Sequence, residues 1–175
     1  LPIETTMYKG KGELLLTGSL GEVMRESAKL AFSYIKANSK MFGIDDKLLN
    51  DNNIHIHVPE GAVPKDGPSA GVSLTTALVS LFTNKEIPSN IAMTGEMTLR
   101  GNVLPIGGLK EKVIGAHRAS VKKIFIPHEN ERDLTEIPDE VKKDIDFVFV
   151  KDYTDIYNHL IGGNNESRRK RTNSN

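Results

Sequence analysis

Apolar and polar positions follow one another along this chain in patterns that predict interleaved strands and helices. Residues 3–18 contain two β-rich stretches, and the segment 8–12 (YKGKG) between them favours a hairpin turn. Residues 19–22 (SLGE) match the Ser-x-x-Glu capping box, so we expect a helix to begin there and to extend to about residue 41. Its predicted apolar stripe consists of Val23, Ala28, Ala31, Phe32 and Ile35.

The remaining patterns continue this alternation to residue 161. Strict alternation at 54–58 (IHIHV) predicts a strand that ends at Pro59, and a loop rich in Gly and Pro follows at 60–68. Small apolar residues at 69–82 indicate a buried helix. Further strands are predicted at 91–99, 103–106, 123–127 and 147–150. Further helices are predicted at 109–120, between residue 127 and about residue 143, and at 153–161.

This order of elements predicts the fold class α/β (α+β), a single compact domain of mixed sheets and packed helices. We place that domain at 1–162 and a polar, basic tail at 163–175, which we expect to be disordered and solvated. Lys plus Arg number 23 and Asp plus Glu also number 23, so the chain lacks the basic excess of a dedicated nucleic-acid binder. The local exception within the tail is the cluster Arg168, Arg169, Lys170 and Arg171.

Absent residue types and motifs narrow the chemistry further. The chain has no cysteine, which excludes a disulfide framework, a thiol nucleophile and a thiolate metal site. No apolar run approaches the length that spans a bilayer, and no Gly-x-x-x-x-Gly-Lys-Ser/Thr loop indicates an ATP site. The chain begins at Leu1 without an initiator Met or a signal-peptide pattern, so we expect a piece of a longer protein.

The segment 64–71 (PKDGPSAG) contains a candidate nucleophile. Gly67 permits unusual backbone geometry and Pro68 suits the first turn of a helix, so Ser69 is expected at or near a helix N-terminus. Unpaired backbone N–H groups and the helix dipole at such a position suit the oxyanion of an acyl-transfer reaction. A serine there also commonly caps the helix, and the spacing by itself leaves both interpretations open.

The helix predicted at 109–120 supplies a candidate base. Lys112 falls at the edge of the predicted inner face, whereas Lys110 points away from it. Burial disfavours the charged ammonium, and a neutral lysine amine can act as a general base. The alternative is a lysine whose stem packs on the core while its amine stays in water. The residues that define the inner face are Leu109, Val113, Ala116 and Ser120.

Two histidines leave other hypotheses open. His55 and His57 share one face of the predicted strand, but a metal site would need a third ligand that no motif supplies. A hydrolase with a Ser-His-Asp triad of Ser69, His57 and Asp66 is compatible with the composition, because triads are defined by geometry and not by order. A third hypothesis is a non-catalytic module that binds peptides in a cleft formed by these same residues.

Four segments resemble sequence blocks of the Lon proteases. Residues 58–62 followed by 64–71 look like the catalytic-serine signature, in the form of the A-type branch found in bacterial cytoplasm and mitochondria. Residues 93–101 (MTGEMTLRG) and 104–112 (LPIGGLKEK) resemble the other blocks, in the expected order. The likeness covers 17–161, so the resemblance implies the fold of the Lon proteolytic domain.

The resemblance also implies roles for individual residues. Ser69 and Lys112 fall on the family's Ser-Lys dyad, as nucleophile and general base. Thr94 matches a position whose hydroxyl holds the lysine amine, and Asp66 matches one linked to opening and closing of the active-site loop. Backbone amides near Gly67–Ser69, the stretch that contains Pro68, would form the oxyanion hole, and the matches near the dyad are His57 and Glu22.

The reaction that the resemblance implies is ATP-dependent proteolysis of unfolded or damaged proteins by a homohexamer. We expect no cofactor in this chain, because ATP and Mg would be used by an ATPase module that lies upstream. The expected location is the cytoplasm of a bacterium or the mitochondrial matrix. Neither a membrane nor a nucleic acid is expected as a partner of this domain.

Overall fold

Two small sheets, a short hairpin and the helices packed on them make up the computed structural model, which describes residues 2–59 and 67–162. The strands are β1 (Glu4–Lys9), β2 (Leu14–Gly18), β3 (Asn52–Val58), β4 (Ile91–Met93), β5 (Glu96–Met97), β6 (Val103–Leu104), β7 (Lys123–Pro127) and β8 (Asp146–Val150). The α-helices are α1 (Glu22–Ala37), α2 (Asp46–Asn50), α3 (Gly71–Thr83), α4 (Leu109–Arg118), α5 (Asp139–Lys142) and α6 (Tyr153–Tyr157).

The first sheet has the order β1-β3-β2, so the predicted hairpin of the first two strands is wrong. β3 lies between them, antiparallel to β1 and parallel to β2. The segment that connects β1 to β2 is bound instead by the Asn53 side chain of β3. Its Oδ1 accepts the backbone N–H groups of Lys11 at 3.0 Å and Glu13 at 3.1 Å. A partner 40 residues away in sequence therefore replaces the local pairing that the turn residues suggested.

Helix α1 begins differently from the prediction. Gly21 is its N-cap and contributes no side-chain hydrogen bond, so the predicted capping box is wrong. The Ser19 backbone N–H donates to the Val58 carbonyl at 2.8 Å, which holds residue 19 beside the sheet and away from the helix start. Four of the five predicted stripe residues are buried, but Val23 is 41% exposed and Met24 is buried instead.

The second sheet has the order β4-β7-β8 and is parallel throughout. Side chains of β7 alternate between two cores, as expected for a parallel sheet covered on both faces. Phe125 joins the larger core with α1, α3 and α6, whereas Ile124 and Ile126 join a second core with α4 and α5. The predicted fold class, a compact mixed α/β domain, is confirmed. No helix within 2–59 and 67–162 is long and apolar enough to cross a membrane.

Three predicted elements have different limits in the structure. The strand expected at 91–99 is interrupted after β4 and resumes at β5, because the backbone groups of Gly95 bind Ser69 and Val72 instead of a neighbouring strand. The helical stretch after β7 consists of a 3-10 segment, His128–Glu136, followed by α5. The last helix is α6 extended by a π-helical turn, Asn158–Gly162.

An aromatic cluster fixes the β5–β6 hairpin to the larger core. The Tyr34 and Tyr153 rings meet edge to face at 5.9 Å, and the Tyr153 hydroxyl lies 2.9 Å from Thr76 Oγ1. Burial raises the pKa of Tyr153 well above its ordinary value, so this hydroxyl stays neutral. The Gly101 carbonyl accepts the Tyr153 N–H at 2.8 Å, and the Tyr34 ring lies where a Cβ of Gly101 would stand.

We predict that Gly101→Ala strongly destabilises the fold. Its φ of +91° is unfavourable for alanine, and the new Cβ would lie 2.7 Å from Tyr34 Cε2. We expect a loss of about 2–4 kcal/mol in the free energy of unfolding, combining left-handed strain with overpacking. Gly43→Ala is the matched control and should lose about 1 kcal/mol, because Gly43 has φ +67° but no atom of residues 2–59 or 67–162 lies within 4 Å of its Cβ position. Urea denaturation of both variants measures the difference, and equal losses would contradict the packing role of Tyr34.

Candidate active site

Ser69 lies in a 3-10 turn, Pro68–Ala70, that leads directly into α3. Gly67 is extended at the start of this turn, with φ −145° and ψ 154°. The Ser69 carbonyl accepts the Gly95 N–H at 3.0 Å, and the Gly95 carbonyl accepts the Val72 N–H at 3.2 Å. The N-cap of α3 is Ala70, so Ser69 stands near a helix start as predicted without serving as its side-chain cap.

Lys112 approaches the serine from α4. Its Nζ donates to Ser69 Oγ at 2.7 Å, and its backbone N–H donates to the Gly108 carbonyl at 3.3 Å, within the first turn of the helix. Lys112 is half-buried, whereas Lys110 is exposed, as the helical period predicted. The prediction for Ser120 is wrong, because α4 ends at Arg118 and Ser120 is exposed with φ +63°.

Thr94 completes a group of three side chains from three separate elements. Its Oγ1 accepts a longer hydrogen bond of 3.4 Å from Lys112 Nζ. The Thr94 backbone N–H donates to the Phe125 carbonyl of β7 at 3.1 Å, and the residue is 7% exposed. The hydroxyl that contacts the lysine amine is therefore carried by backbone that is bound to the second sheet.

Gly95 is the site residue that the sequence reasoning missed. It makes both backbone hydrogen bonds to the start of α3 described above, and it follows Thr94 directly. A Cβ at Gly95 would lie 2.6 Å from Val103 Cγ1 and 3.2 Å from Val72 Cγ1. The available signal was a single glycine inside a strand pattern, which often marks close backbone approach.

A cavity of about 940 Å³ opens beside these residues. It lies along the edge of β4 that faces away from β7, between α3 and α4. Small and apolar side chains dominate its walls, and Ser73 Oγ donates to the Met93 carbonyl at this edge at 3.4 Å. Representative wall residues are Ala77, Ile87, Ile91, Val113, Ala116 and Val121.

The other predicted site residues are placed elsewhere or lie outside the described residues. Asp66 is among the residues that the structure does not describe. The hydrogen bond of His57 is to Thr17, whose Oγ1 lies 2.7 Å from His57 Nδ1 and 2.7 Å from His55 Nε2. Glu22 is exposed as the first residue of α1. Neither His57 nor Glu22 lines the cavity beside Ser69.

Local pattern alone does not separate a lysine base from a histidine base here. Residues 67–71 (GPSAG) satisfy the Gly-x-Ser-x-Gly spacing that also occurs around the nucleophile of triad hydrolases. The partner of the hydroxyl is therefore the informative feature, and in the structure Lys112 Nζ contacts Ser69 Oγ while His57 contacts Thr17. In the described parts of the chain, no three His, Asp or Glu side chains are grouped as metal ligands.

Comparison with known proteins gives matches along almost the whole chain. The family described as the Lon protease C-terminal proteolytic domain matches residues 1–163. The Lon protease of Mycoplasma mycoides subsp. mycoides is 54% identical over 166 residues, which cover 95% of this chain and 21% of that protein. The Lon protease of Clostridioides difficile is 51% identical over 170 residues, which cover 95% and 22% respectively. That of Bacillus thuringiensis is 53% identical over 163 residues, covering 93% and 20%.

We predict that Gly95→Ala disturbs the start of α3 by steric overlap. Because its Cβ would meet Val103 Cγ1, we expect a loss of about 1–3 kcal/mol in the free energy of unfolding. The double variant Gly95→Ala/Val103→Ala removes that contact and should lose less than the sum of the two single variants. Gly67→Ala is the control within the same site, because Ser69 Oγ, at 4.0 Å, is the nearest atom of the described residues to a Cβ at Gly67, whose φ is extended. Chemical denaturation gives the four values, and strict additivity would exclude the proposed overlap.

Proposed function

Because this chain belongs to the Lon protease family, as a C-terminal proteolytic domain, we propose that it hydrolyses peptide bonds with a Ser-Lys dyad. Ser69 is the nucleophile and Lys112 is the general base in this proposal. The observation that carries it is the 2.7 Å hydrogen bond between Lys112 Nζ and Ser69 Oγ. A nucleophile and its base need this separation for proton transfer.

The reaction proceeds by acyl transfer. The amine of Lys112 must be neutral, so that its lone pair takes the proton of the Ser69 hydroxyl as Oγ attacks the carbonyl carbon of the substrate. The tetrahedral intermediate expels the amine of the scissile bond, which receives the proton from Lys112, and an acyl-enzyme remains on Ser69. Water then attacks this ester while Lys112 accepts one of its protons. As the bond between the carbonyl carbon and Ser69 Oγ breaks, Lys112 returns that proton to Oγ, which releases the carboxyl product and restores the free serine and the neutral amine.

Two features of the site support this chemistry. Thr94 Oγ1 limits the positions open to the Lys112 amine, as the third member of a catalytic triad orients its base. The first N–H groups of a helix lack intrahelical partners, so the N–H groups of Ser69 and Ala70 are candidate donors to the oxyanion. Both N–H groups belong to the backbone next to Ser69 Oγ, where the carbonyl oxygen of the attacked peptide bond would lie.

The cavity along β4 fits an extended peptide. Backbone groups of Asn90 and Thr94 face β7, since Asn90 O accepts from Lys122 and Thr94 N donates to Phe125. The alternation of a strand then directs the N–H and C=O groups of Ile91 and Met93 toward the cavity. β4 is the edge strand of its sheet, and an edge strand can bind a substrate segment as an added strand, although the Met93 carbonyl already accepts the Ser73 hydroxyl at 3.4 Å. Ser69 and Lys112 lie beside the same cavity, so the scissile bond of that strand would reach the dyad.

The activity of the whole protein is also a proposal, because this chain spans about a fifth of the length of the curated relatives that it matches. We propose that the substrates are unfolded or damaged proteins and that the whole protein is a cytoplasmic or mitochondrial-matrix homohexamer. ATP and Mg would be bound outside this chain, whose sequence contains no Gly-x-x-x-x-Gly-Lys-Ser/Thr loop. Hydrolysis of ATP, assisted by Mg, would supply the free energy for unfolding substrates, and no step at Ser69 would use either group.

We predict that a peptide diphenyl phosphonate, which phosphonylates catalytic serines, adds its mass at Ser69. Ser69→Ala should abolish labelling, and Lys112→Met should slow it by about 10²–10⁴-fold, the usual contribution of a general base. His57→Ala should label at a rate close to that of the unchanged protein, because His57 contacts Thr17. Intact-mass and peptide-mass spectrometry follow the reaction. An unlabelled protein would favour a binding module, and loss of labelling in His57→Ala with retention in Lys112→Met would favour a triad.

We also predict that the Thr94 hydroxyl affects the rate more than the stability. Thr94→Val keeps the shape of the side chain but removes the oxygen that contacts Lys112 Nζ, and we expect kcat to fall about 10–100-fold. Thr94→Ser retains the oxygen and should recover most of the rate. Hydrolysis of a fluorogenic peptide, with thermal melting of each variant as the control, measures both effects. Equal rates for Val and Ser at this position would contradict an orienting role.

A further inference from the structure

Asn130 is a buried polar residue that the proposed chemistry does not use. It lies in the 3-10 segment after β7 and is 1% exposed. Its side-chain amide binds the backbone of Ile106 at two points: Oδ1 accepts the Ile106 N–H at 2.9 Å, and Nδ2 donates to the Ile106 carbonyl at 2.9 Å. Nδ2 also donates to Asp133 Oδ2 at 2.8 Å. The amide thus pairs with Ile106 as a neighbouring strand would.

The residue that Asn130 holds lies immediately before the helix of Lys112. After Ile106 come two exposed glycines, and Gly108 is the N-cap of α4 with φ +71°. Among the residues that the structure describes, no atom lies within 4 Å of a Cβ built at Gly107, so the space beside this glycine is open. Lys112 N donates to the Gly108 carbonyl at 3.3 Å, so the lysine lies in the first turn of α4, six residues after Ile106 in the chain.

We propose that Asn130 is a positioning residue for Lys112. By fixing the Ile106 backbone, it sets where α4 begins and therefore where Lys112 Nζ lies relative to Ser69 Oγ. The packing of the Ile106 side chain in the second core restrains the same point, but the two hydrogen bonds fix the direction of its backbone. A displacement of about 1 Å at a reacting group can lower a rate about 100-fold, so a small shift of the helix start suffices. This inference rests on the proposed function of the Ser-Lys dyad.

The chemistry of the amide explains why asparagine suits this position. Pairing with Ile106 requires one acceptor and one donor side by side, which asparagine provides in its neutral form. An ionised aspartate keeps the acceptor but would direct a second oxygen at the Ile106 carbonyl and at Asp133. Alanine would remove the Asn130 partner of both backbone groups of Ile106 in a partly buried site, where unpaired polar groups are unfavourable.

The test compares Asn130→Asp and Asn130→Ala with the control Asn53→Ala. The Asn53 side chain likewise makes two hydrogen bonds to the backbone, but it accepts both, from the β1–β2 connection, and it lies in the first sheet. For the Asn130 variants we expect kcat for a fluorogenic peptide, and the rate of Ser69 phosphonylation, to fall about 10–100-fold with KM within about twofold. For Asn53→Ala we expect lower thermal stability and an unchanged kcat. Circular dichroism establishes that each variant is folded.

The possible outcomes separate the inference from the function on which it rests. If the unchanged protein is neither labelled at Ser69 nor active, the proposed dyad fails. If it is active and a folded Asn130→Ala retains kcat within about twofold, the positioning role fails. Should both Asn130 variants be unfolded, one glycine inserted between Gly107 and Gly108 decides the question, because it separates Ile106 from the helix start. A fall in kcat at preserved fold supports the inference, and an unchanged kcat overturns it.

Discussion

The requirement that a parallel sheet be covered on both faces determines where this site can form. Successive side chains of β7 enter different cores, so α3 and α4 must pack on opposite faces of the second sheet. The two helices approach each other only past the edge of the sheet, at β4. Ser69 arrives with one helix and Lys112 with the other, and their contact lies at the end of that edge strand. The sheet is therefore a spacer that sets the separation of the two groups.

The position of the dyad between two cores has an energetic consequence. The start of α3 is held by the larger core, whereas α4 is held by the second core through residues such as Leu109 and Val113. A change inside either core can shift one helix relative to the other without unfolding the domain. Because close-packed interiors transmit such shifts, substitutions far from Ser69 are expected to act on the rate through the distance from Lys112 Nζ to Ser69 Oγ.

Local patterns in the sequence predicted local features well and distant partners poorly. The helical period correctly separated a half-buried Lys112 from an exposed Lys110, since that choice depends only on α4 itself. The hairpin and the capping box failed because their groups are satisfied from afar, by Asn53 and by the Val58 carbonyl. No local pattern pairs Ser69 with a residue 43 positions away; the resemblance to Lon proteases supplied that hypothesis.

The dipeptide of Thr94 and Gly95 shows why the strand predicted at 91–99 had to break where it does. The Thr94 backbone N–H donates to the Phe125 carbonyl of β7, and this hydrogen bond fixes the residue whose hydroxyl contacts Lys112 Nζ. Gly95 then turns its own N–H and carbonyl toward α3, where they bind Ser69 and Val72 instead of a strand. The segment from Gly95 to Met97 and the start of α3 can lie this close because both contain a glycine. A Cβ at Gly71 would lie 2.9 Å from the Met97 nitrogen and 3.3 Å from the Gly95 carbonyl oxygen. Two consecutive residues thus connect the lysine to the serine, one through its side chain and the other through its backbone. A regular strand could not do both, since its backbone groups alternate between two neighbouring strands.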